Sequence, residues 1–318
     1  TDIGPIITNE AANHINTYVD EKAAEGRLLH RMSAPGEGSF VGSALIRVNS
    51  IEDLGEEVFG PVLHVATFKA KDLMQVVETI NATGYGLTFG LHTRIDDRVQ
   101  AVADAVHAGN IYANRNQIGA IVGSQPFGGE GLSGTGPKAG GPHCIARFAD
   151  EPLQVFVEGW QMSADLKTLS DQLTEVGGEA AVAATEILPG PTGELNRLVT
   201  LPRLPIICAG PDPEAARAQQ AAIKELGGRA VVLDGWIEPE QLHFLPAFGG
   251  VIWWGDNATA RSYAKTLAKR EGPIIPLITG RPDMAHACLE RHLCVDTTAA
   301  GGNASLLADV GNARREAA

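Results

Sequence analysis

The chain has 318 residues, of which 44% are hydrophobic, and it carries a formal net charge of -13 at pH 7. This charge argues against nucleic acid or an anionic membrane as the main partner, because both attract basic surfaces. No apolar run reaches the length of a membrane span, and the 4 scattered cysteines favour a reducing compartment over a disulfide framework. The chain starts at Thr1 without a signal-peptide pattern. It also lacks an initiator Met, so we expect a piece of a longer polypeptide.

The first half of the chain alternates helical and strand patterns. The spacing of apolar residues predicts an amphipathic helix over 8–25, which begins after Thr8. In a helix predicted over 96–108, an apolar stripe is followed by the stop signal Gly109. The stripe consists of Val99, Val102 and Val106. This alternation indicates an α/β fold with a mainly parallel sheet. The other elements predicted in this half are strands over 39–49, 59–69, 87–93 and 110–114, a helix over 72–82, a glycine-rich loop over 117–142 and a lone strand at Gln154–Glu158.

A second α/β rhythm follows residues 160–200, which have the pattern of a linker-like helix and a Pro/Gly turn. Asp212-Pro213-Glu214 predicts the start of a capped helix, with proline and an acidic residue in its first turn. Asn257 is predicted to cap a further helix. The apolar stripe of that helix consists of Ala260, Tyr263, Ala264 and Leu267. The strands predicted in this half are Ile206–Ala209, Ala230–Leu233, Val251–Trp254 and Ile274–Ile278.

The hexapeptide from Glu56 to Pro61 combines carboxylates, an aromatic ring and a sharp Gly-Pro turn. In an extended segment, residues at i and i+2 project from the same face, so Glu57 and Phe59 could address one ligand together. The carboxylate suits a ribose diol, and the ring suits a flat heterocycle. The alternative is an acidic surface loop before a core strand, because exposed carboxylates are common.

This hexapeptide resembles the aldehyde dehydrogenase motif Glu-Glu-(Ile/Val)-Phe-Gly-Pro. Three further segments resemble later landmarks of that family, in the right order over about the first half of the chain. These segments are Thr1–Ile6, Tyr112–Arg115 and Pro126–Gly129. The resemblance implies that Glu57 holds the nicotinamide ribose of NAD(P) and that Phe59 borders the nicotinamide.

The same resemblance implies that the nucleophilic cysteine and the general base precede Thr1. We therefore expect no catalytic residue in this chain, and Cys144 lies too far along it to be the nucleophile. A buried structural thiol is the commoner state of a lone cysteine. The chain alone is expected to be inactive.

A glycine-rich stretch is similar to the substrate anchor of relatives that oxidise glutamate semialdehyde. In those relatives a Gly-(Ala/Ser) pair shortly before Pro-Phe-Gly-Gly binds the substrate carboxylate. The resemblance carries this anchor to Gly119 and Ala120, and the lining of the aliphatic chain to Phe127. Backbone N–H groups of such a turn bind a carboxylate without long side chains. The alternative is a plain surface loop, which glycine and proline often mark.

Residues 165–312 resemble a degenerate, Rossmann-type copy of the aldehyde dehydrogenase cofactor domain. Leu277–Arg281 stands where active members carry Glu-(Leu/Thr)-Gly-Gly, so the general-base glutamate is missing. Ala209–Asp212 lacks the phosphate-binding glycine pattern and offers an acidic group instead. We therefore expect a noncatalytic domain.

The segment Val295–Leu306 closely resembles the C-terminal motif of long proline utilization A proteins. These membrane-associated bacterial enzymes join a flavin proline dehydrogenase to a glutamate-semialdehyde dehydrogenase, and their C-terminal domain helps to close a cavity through which the intermediate passes. The implied organisation is a dehydrogenase part over 1–150, a flap strand and linker over 151–164, the noncatalytic domain over 165–312 and a tail over 313–318.

The resemblance also implies the ligands and partners of this chain. NAD is the expected cofactor, FAD is expected only in an upstream proline dehydrogenase domain, and L-glutamate γ-semialdehyde is the expected substrate. The expected partners are the upstream part of the same polypeptide and further copies of the chain, with no nucleic acid contact from this part. The expected location is cytoplasmic or peripheral at the inner membrane face of a bacterium.

Two other interpretations stay open. The chain could act as a noncatalytic assembly or lid module that covers a partner. It could also belong to an aldehyde dehydrogenase of another substrate specificity with an unrelated tail, although the motif at 295–306 counts against this.

Two further patterns do not predict sites. Gly129–Gly134 matches G-x-G-x-x-G, but a preceding strand and a prompt following helix are missing. A metal-like cluster overlaps residues 286–292, which are predicted to be helical, and in a helix the side chains at i and i+2 point apart. Its members are His286, Cys288, His292 and Cys294. We expect no metal site there.

Overall fold

A computed structural model of the chain describes residues 3–117, 120–149, 159–179 and 181–298. The chain divides into two units, Thr1–Thr83 and Gly84–Ala318. The predicted flap strand at 154–158, the tail at 313–318 and most of the motif at 295–306 lie outside the described residues.

The first unit combines α-helices with a small mixed sheet. Its elements are α1 (Asn9–Ala24), β1 (Leu28–Arg31), β2 (Ala44–Arg47), β3 (Val62–Val65) and α2 (Leu73–Ala82). The sheet order is β1-β2-β3, with the first pair antiparallel and the second parallel. Helix α1 begins where predicted, because the Thr8 hydroxyl accepts a hydrogen bond from the N–H of Ala11. Its buried side, with Ile15 and Val19, packs into the core of this unit.

The second unit contains the remaining elements. They are β4 (Tyr85–Gly86), β5 (Thr88–Leu91), α3 (Asp96–Ala105), β6 (Asn110–Ala113), β7 (Glu130–Gly131), α4 (Leu166–Val176), β8 (Ala184–Leu188), β9 (Glu194–Pro202), β10 (Ile206–Cys208), α5 (Pro213–Glu225), β11 (Ala230–Val232), β12 (Gly250–Ile252), α6 (Asn257–Leu267), β13 (Leu277–Ile278), α7 (Met284–Ala287) and β14 (Cys288–Asp296).

A five-stranded sheet in the second unit joins strands from both halves of the sequence. Its order is β5-β6-β14-β9-β8. Strand β14 pairs parallel with β6 and antiparallel with β9, so His292 stands opposite both Asn110 and Leu198. Strands from either side of the predicted boundary near residue 150 therefore share one sheet.

A four-stranded parallel sheet carries the largest core of the second unit. Its order is β11-β10-β12-β13, and helices α5 and α6 connect strands within it. Helix α5 begins as predicted, with the Asp212 carboxylate accepting from the N–H of Ala215. The largest fully buried side chain of α6 is Tyr263, whose hydroxyl donates to the carbonyl of Ile237 at 3.1 Å. The α/β class predicted from the sequence is confirmed.

Several predicted elements need correction. The predicted helix over 96–108 ends at Ala105, and Val106 lies beyond it in extended backbone. Asp256, rather than Asn257, caps α6, since its side chain accepts from two N–H groups of the first turn. Thr266, rather than Ala264, completes the buried side of that helix. Strand β1 has no counterpart in the prediction, and the strands predicted over 39–49 and 59–69 shorten to β2 and β3.

Two sequence interpretations are wrong over longer stretches. Residues 160–200 contain the predicted helix and turn, but the turn joins the antiparallel strands β8 and β9. Strand β9 was not predicted because its residues do not alternate between apolar and polar. Asn196 and Thr200 are buried on one side of it, while Val199 is only half-buried on the other. Residues 288–292 form a strand rather than a helix, because pairing with two neighbours outweighs local propensity.

Within the described part of the chain, no helix combines the length and apolar character needed to cross a bilayer.

Candidate functional site

Glu57 and Phe59 lie in the first unit, in the segment that leads into β3. Val58 between them packs against the core, while Glu57 and Phe59 are exposed. Phe59 is 87% exposed, so its ring does not take part in core packing and is accessible to a ligand. Gly60 allows the close approach of α1, because a Cβ there would lie 2.5 Å from Cδ1 of Ile15. The alternation expected of an extended segment is therefore present, and the roles of both residues stay predictions.

Ala120 and Phe127 lie in the second unit, in the glycine-rich loop that follows β6. Ala120 is exposed, and Gly119 lies outside the described residues. Phe127 is half-buried and pairs with Ala139, with N···O distances of 3.0 Å and 2.8 Å in the two directions. The loop thus holds Phe127 firmly by its backbone. The substrate roles of these residues stay predictions.

A polar network attaches this loop to the five-stranded sheet. The Arg115 guanidinium donates to the Glu194 carboxylate at 2.6 Å, and Gln125 Nε2 donates to it at 2.8 Å. Both donors also reach Cys294 Sγ, at 3.1 Å and 3.6 Å. Glu194 opens β9 and Cys294 lies in β14. Sequence reasoning missed these residues, because the pairs are 69 to 179 positions apart and form no local motif.

A second attachment joins the two-residue strand β7 to the same sheet. The Arg291 guanidinium donates to both carboxylate oxygens of Glu130, at 3.0 Å and 2.7 Å. Both side chains are largely buried, at 14% and 8% exposure, so this ion pair is little screened by water. Strand β14 therefore positions the loop at both Gln125 and Glu130.

A third attachment lies beyond the loop, between Arg147 and Asp283. The guanidinium donates to both carboxylate oxygens at 2.6 Å and 3.1 Å. Burial acts to raise the pKa of Asp283, but hydrogen bonds from His286 and Arg147 hold this pKa well below its usual range. The carboxylate therefore stays ionised and caps α7.

The three thiols that lie in strands β10 and β14 are poor nucleophiles. Burial raises the pKa of Cys208 and of Cys294 to about 12, and it also raises the pKa of Cys288. Since the thiolate is the nucleophilic form, these three groups are inert at neutral pH. Cys144 is half-buried and directly precedes the 3-10 turn Ile145–Phe148. That the nucleophile lies upstream stays a prediction.

The crevice at the end of β10 is filled by protein side chains. In a sheet of this order, ligands bind outside the carboxyl ends of the strands where the order reverses, here between β10 and β12. The N–H of Gly210 donates to Gln219 Oε1 at 3.0 Å, and Gln219 Nε2 donates back to the Gly210 carbonyl at 2.8 Å. Trp160 Nε1 donates to the adjacent carbonyl of Ala209 at 2.8 Å. The Gly210 amide that could bind a phosphate is therefore occupied internally.

The two patterns set aside in the sequence lie in ordinary structural surroundings. Gly129–Gly134 contains β7, and its Ser133 hydroxyl accepts from the N–H of Gly86 at 3.0 Å, so the segment is a packed turn. The residues of the metal-like cluster lie in α7 and β14. Over the described ranges, no group of three or more His, Cys, Asp or Glu residues could hold a metal ion.

Residues 1–151 match the model of the aldehyde dehydrogenase family, so this part of the chain belongs to that family. The chain is 36% identical to the bifunctional protein PutA of Salmonella typhimurium, over 96% of this chain and 28% of that protein. It is 40% identical to the 1-pyrroline-5-carboxylate dehydrogenase of Bacillus subtilis, over 45% of this chain and 28% of that protein. The resemblance to proline utilization A proteins is therefore confirmed.

A solved structure supports the fold across most of the chain. The proline utilization A protein of Corynebacterium freiburgense superposes with a TM-score of 0.56 at 24% identity, over 85% of this chain and 29% of that one. The chain spans about 28% of the length of the curated bifunctional relatives that it matches.

Proposed function

We propose that this chain is part of a bifunctional proline catabolic enzyme and contributes to the oxidation of L-glutamate γ-semialdehyde to L-glutamate with NAD. The observation that carries this proposal is the similarity to bifunctional PutA proteins over 96% of the chain. The dehydrogenase assignment draws further support from the 1-pyrroline-5-carboxylate dehydrogenase that matches 45% of the chain. The net reaction consumes aldehyde, water and NAD+, and it releases carboxylate, NADH and two protons.

Glu57 and Phe59 are suited to hold the cofactor. NAD supplies the acceptor for the hydride that leaves the aldehyde carbon. The exposed Glu57 carboxylate accepts hydrogen bonds from ribose hydroxyls, and the exposed Phe59 ring covers the nicotinamide face. These contacts orient the sugar and the ring and exclude water from one side of the nicotinamide.

The glycine-rich loop is suited to hold the substrate. The backbone N–H groups of Gly119 and Ala120 donate to the α-carboxylate of the semialdehyde, while Phe127 contacts its methylene chain. Ala120 is exposed and has only a methyl group, so it leaves room for a carboxylate. The nucleophilic cysteine and general base are supplied by the upstream part of the polypeptide, and the chain alone is therefore inactive.

The remaining parts of the proposal concern the assembly. The domain over 165–312 closes the cavity that conducts the intermediate from an upstream FAD-dependent proline dehydrogenase. The pairing of β14 with β6 supports this role, because it joins this domain directly to the dehydrogenase part. The whole enzyme is a homo-oligomer and works in the cytoplasm or against the inner membrane face.

The test uses the full-length enzyme that contains this chain. Its kcat/KM with NAD is measured for L-glutamate γ-semialdehyde and for pentanal, which has the same number of carbons but lacks the α-carboxylate and amine. We expect a preference of at least about 100-fold for the semialdehyde, because a site that hydrogen-bonds one group rejects analogues without it. Equal efficiencies would instead favour an aldehyde dehydrogenase of other specificity.

A second role for residues 206–278 is noncatalytic assembly. The filled crevice at Gly210 favours it, because Gln219 already satisfies the amide that would bind a phosphate. We expect full-length Gln219→Ala to bind no additional NAD per subunit, measured by calorimetry. A second equivalent of bound NAD in the wild type would contradict a noncatalytic role.

A further inference from the structure

The segment around Phe127 is held on both sides by one buried side chain. Asn110 Nδ2 donates to the carbonyl of Pro126 at 2.7 Å, and Asn110 Oδ1 accepts from the N–H of Gly128 at 3.0 Å. Asn110 is fully buried in β6, between β5 and β14. Its amide therefore acts as an extra peptide group that fixes the peptide before and after Phe127.

Lys138 completes this arrangement from the opposite arm of the loop. Its ammonium donates to Asn110 Oδ1 at 3.1 Å and also to the carbonyl of Gly128. Its backbone N–H donates to Glu290 Oε2 at 3.0 Å, which ties this arm to β14. The close approach requires glycine at position 109, since a Cβ there would lie 1.9 Å from the Gly128 carbonyl oxygen.

An ammonium in this position is costly. Lys138 is only 2% exposed, and its side-chain partners are neutral oxygens. Burial lowers the pKa of Lys138 to about 8, while Glu290 and Glu130 raise it and Arg291 lowers it. The buried imidazole of His292 faces the same ammonium from β14 and is repelled by it when protonated. A neutral side chain of the same size would fill this space without the desolvation cost of an ammonium. We therefore expect the charge to have a role beyond packing.

We propose that Asn110 and Lys138 are positioning residues that set the placement of Phe127 against the aldehyde substrate. This inference rests on the proposed function, which gives Phe127 its place beside the methylene chain of the semialdehyde. The charged lysine polarises the Asn110 amide and so strengthens the hydrogen bond from Asn110 Nδ2 to the Pro126 carbonyl, while its own bond to the Gly128 carbonyl fixes the residue after Phe127. Without the ammonium, Phe127 shifts and the substrate binds less well, while the cofactor contacts stay in place.

The experiment compares Lys138→Met in the full-length enzyme with Lys265→Met, which removes an exposed lysine in the last turn of α6. We expect Lys138→Met to raise KM for the semialdehyde about tenfold, the size of one lost charge-assisted hydrogen bond. The kcat and the KM for NAD should change by less than about threefold. Lys265→Met should match the wild type in all three constants.

A pH series gives a readout that a merely structural role would not move. As the pH rises through about 8, the wild type loses the Lys138 ammonium. The ratio of the Lys138→Met KM to the wild-type KM should therefore fall toward one. Lys138→Arg stays charged over this pH range. The ratio of the Lys138→Met KM to the Lys138→Arg KM should therefore not change with pH. Lys138→Arg also serves as the folded variant if Lys138→Met is unstable.

The outcomes separate the two proposals. A wild-type enzyme that does not reduce NAD with the semialdehyde refutes the proposed function. An active wild type with an unchanged KM in Lys138→Met refutes the positioning role alone. Parallel losses in kcat, in the KM for NAD and in melting temperature also refute it, because they show a packing role.

Discussion

Replacing Phe59 with alanine tests whether its ring serves a ligand or the fold. The ring is 87% exposed, so its removal should change the free energy of unfolding by no more than about 0.5 kcal/mol. If the ring covers the nicotinamide, the lost aromatic contact is worth about 0.5–1.5 kcal/mol. This range corresponds to about 2- to 12-fold weaker NAD binding.

The assay pairs calorimetric titration of NAD with thermal unfolding, both on the full-length enzyme. Phe248→Ala is the matched control, because this ring is 3% exposed in the largest core and has the Arg270 guanidinium 4.7 Å from its centroid. Its truncation should cost about 3–5 kcal/mol of stability. NAD affinity equal to that of the wild type in Phe59→Ala, or a melting loss like that of Phe248→Ala, would refute the cofactor role.

Three further predictions concern the proposed ligand contacts of Glu57 and Ala120 and the buried side chain of His292. Glu57→Gln should slow single-turnover hydride transfer about tenfold, because hydrogen bonds to a charged group are worth about 1.5–3 kcal/mol. A normal rate of hydride transfer together with a normal NAD affinity would show that Glu57 does not hold the ribose. Ala120→Asp should raise the KM for the semialdehyde, because the new carboxylate repels that of the substrate, and it should leave the KM for pentanal nearly unchanged. Steady-state kinetics with equal semialdehyde KM values for variant and wild type would show that Gly119 and Ala120 do not bind the substrate carboxylate. Burial, with repulsion from Lys138, lowers the pKa of His292 to about 4. The stability linked to His292 is thus present above its unfolded pKa of about 6.5 and is lost as the pH falls toward 4, on the order of 3 kcal/mol. Chemical denaturation of His292→Gln across this range should show a shallower decline than the wild type, and identical slopes would contradict this assignment.

Local chemistry made part of the fold readable from the sequence. The caps at Thr8 and Asp212 appear where the side-chain patterns place them, because a cap depends only on the next three residues. Val58 turns inward between the exposed Glu57 and Phe59, since alternation in an extended segment is also local. The family motifs were equally accessible, because they are contiguous.

Other elements could not be read locally. The strand character of residues 288–296 depends on two partners, β6 and β9, that are distant in the chain. The capping box at Asp283 favours helix only as far as Ala287, where α7 ends. Strand pairing then determines the backbone, since the free energy of a ladder exceeds the small differences in local propensity.

The sequence by itself determined the α/β class, the starts of α1 and α5 and the exposed pair that precedes β3, because each depends on neighbouring residues. Only the tertiary structure decided that Asn110, Lys138 and Glu290 meet beneath Phe127 and that Glu194 joins Arg115 to Gln125. These contacts carry no pattern in the chain, because buried polar groups are satisfied by whichever partner the fold brings within hydrogen-bonding distance.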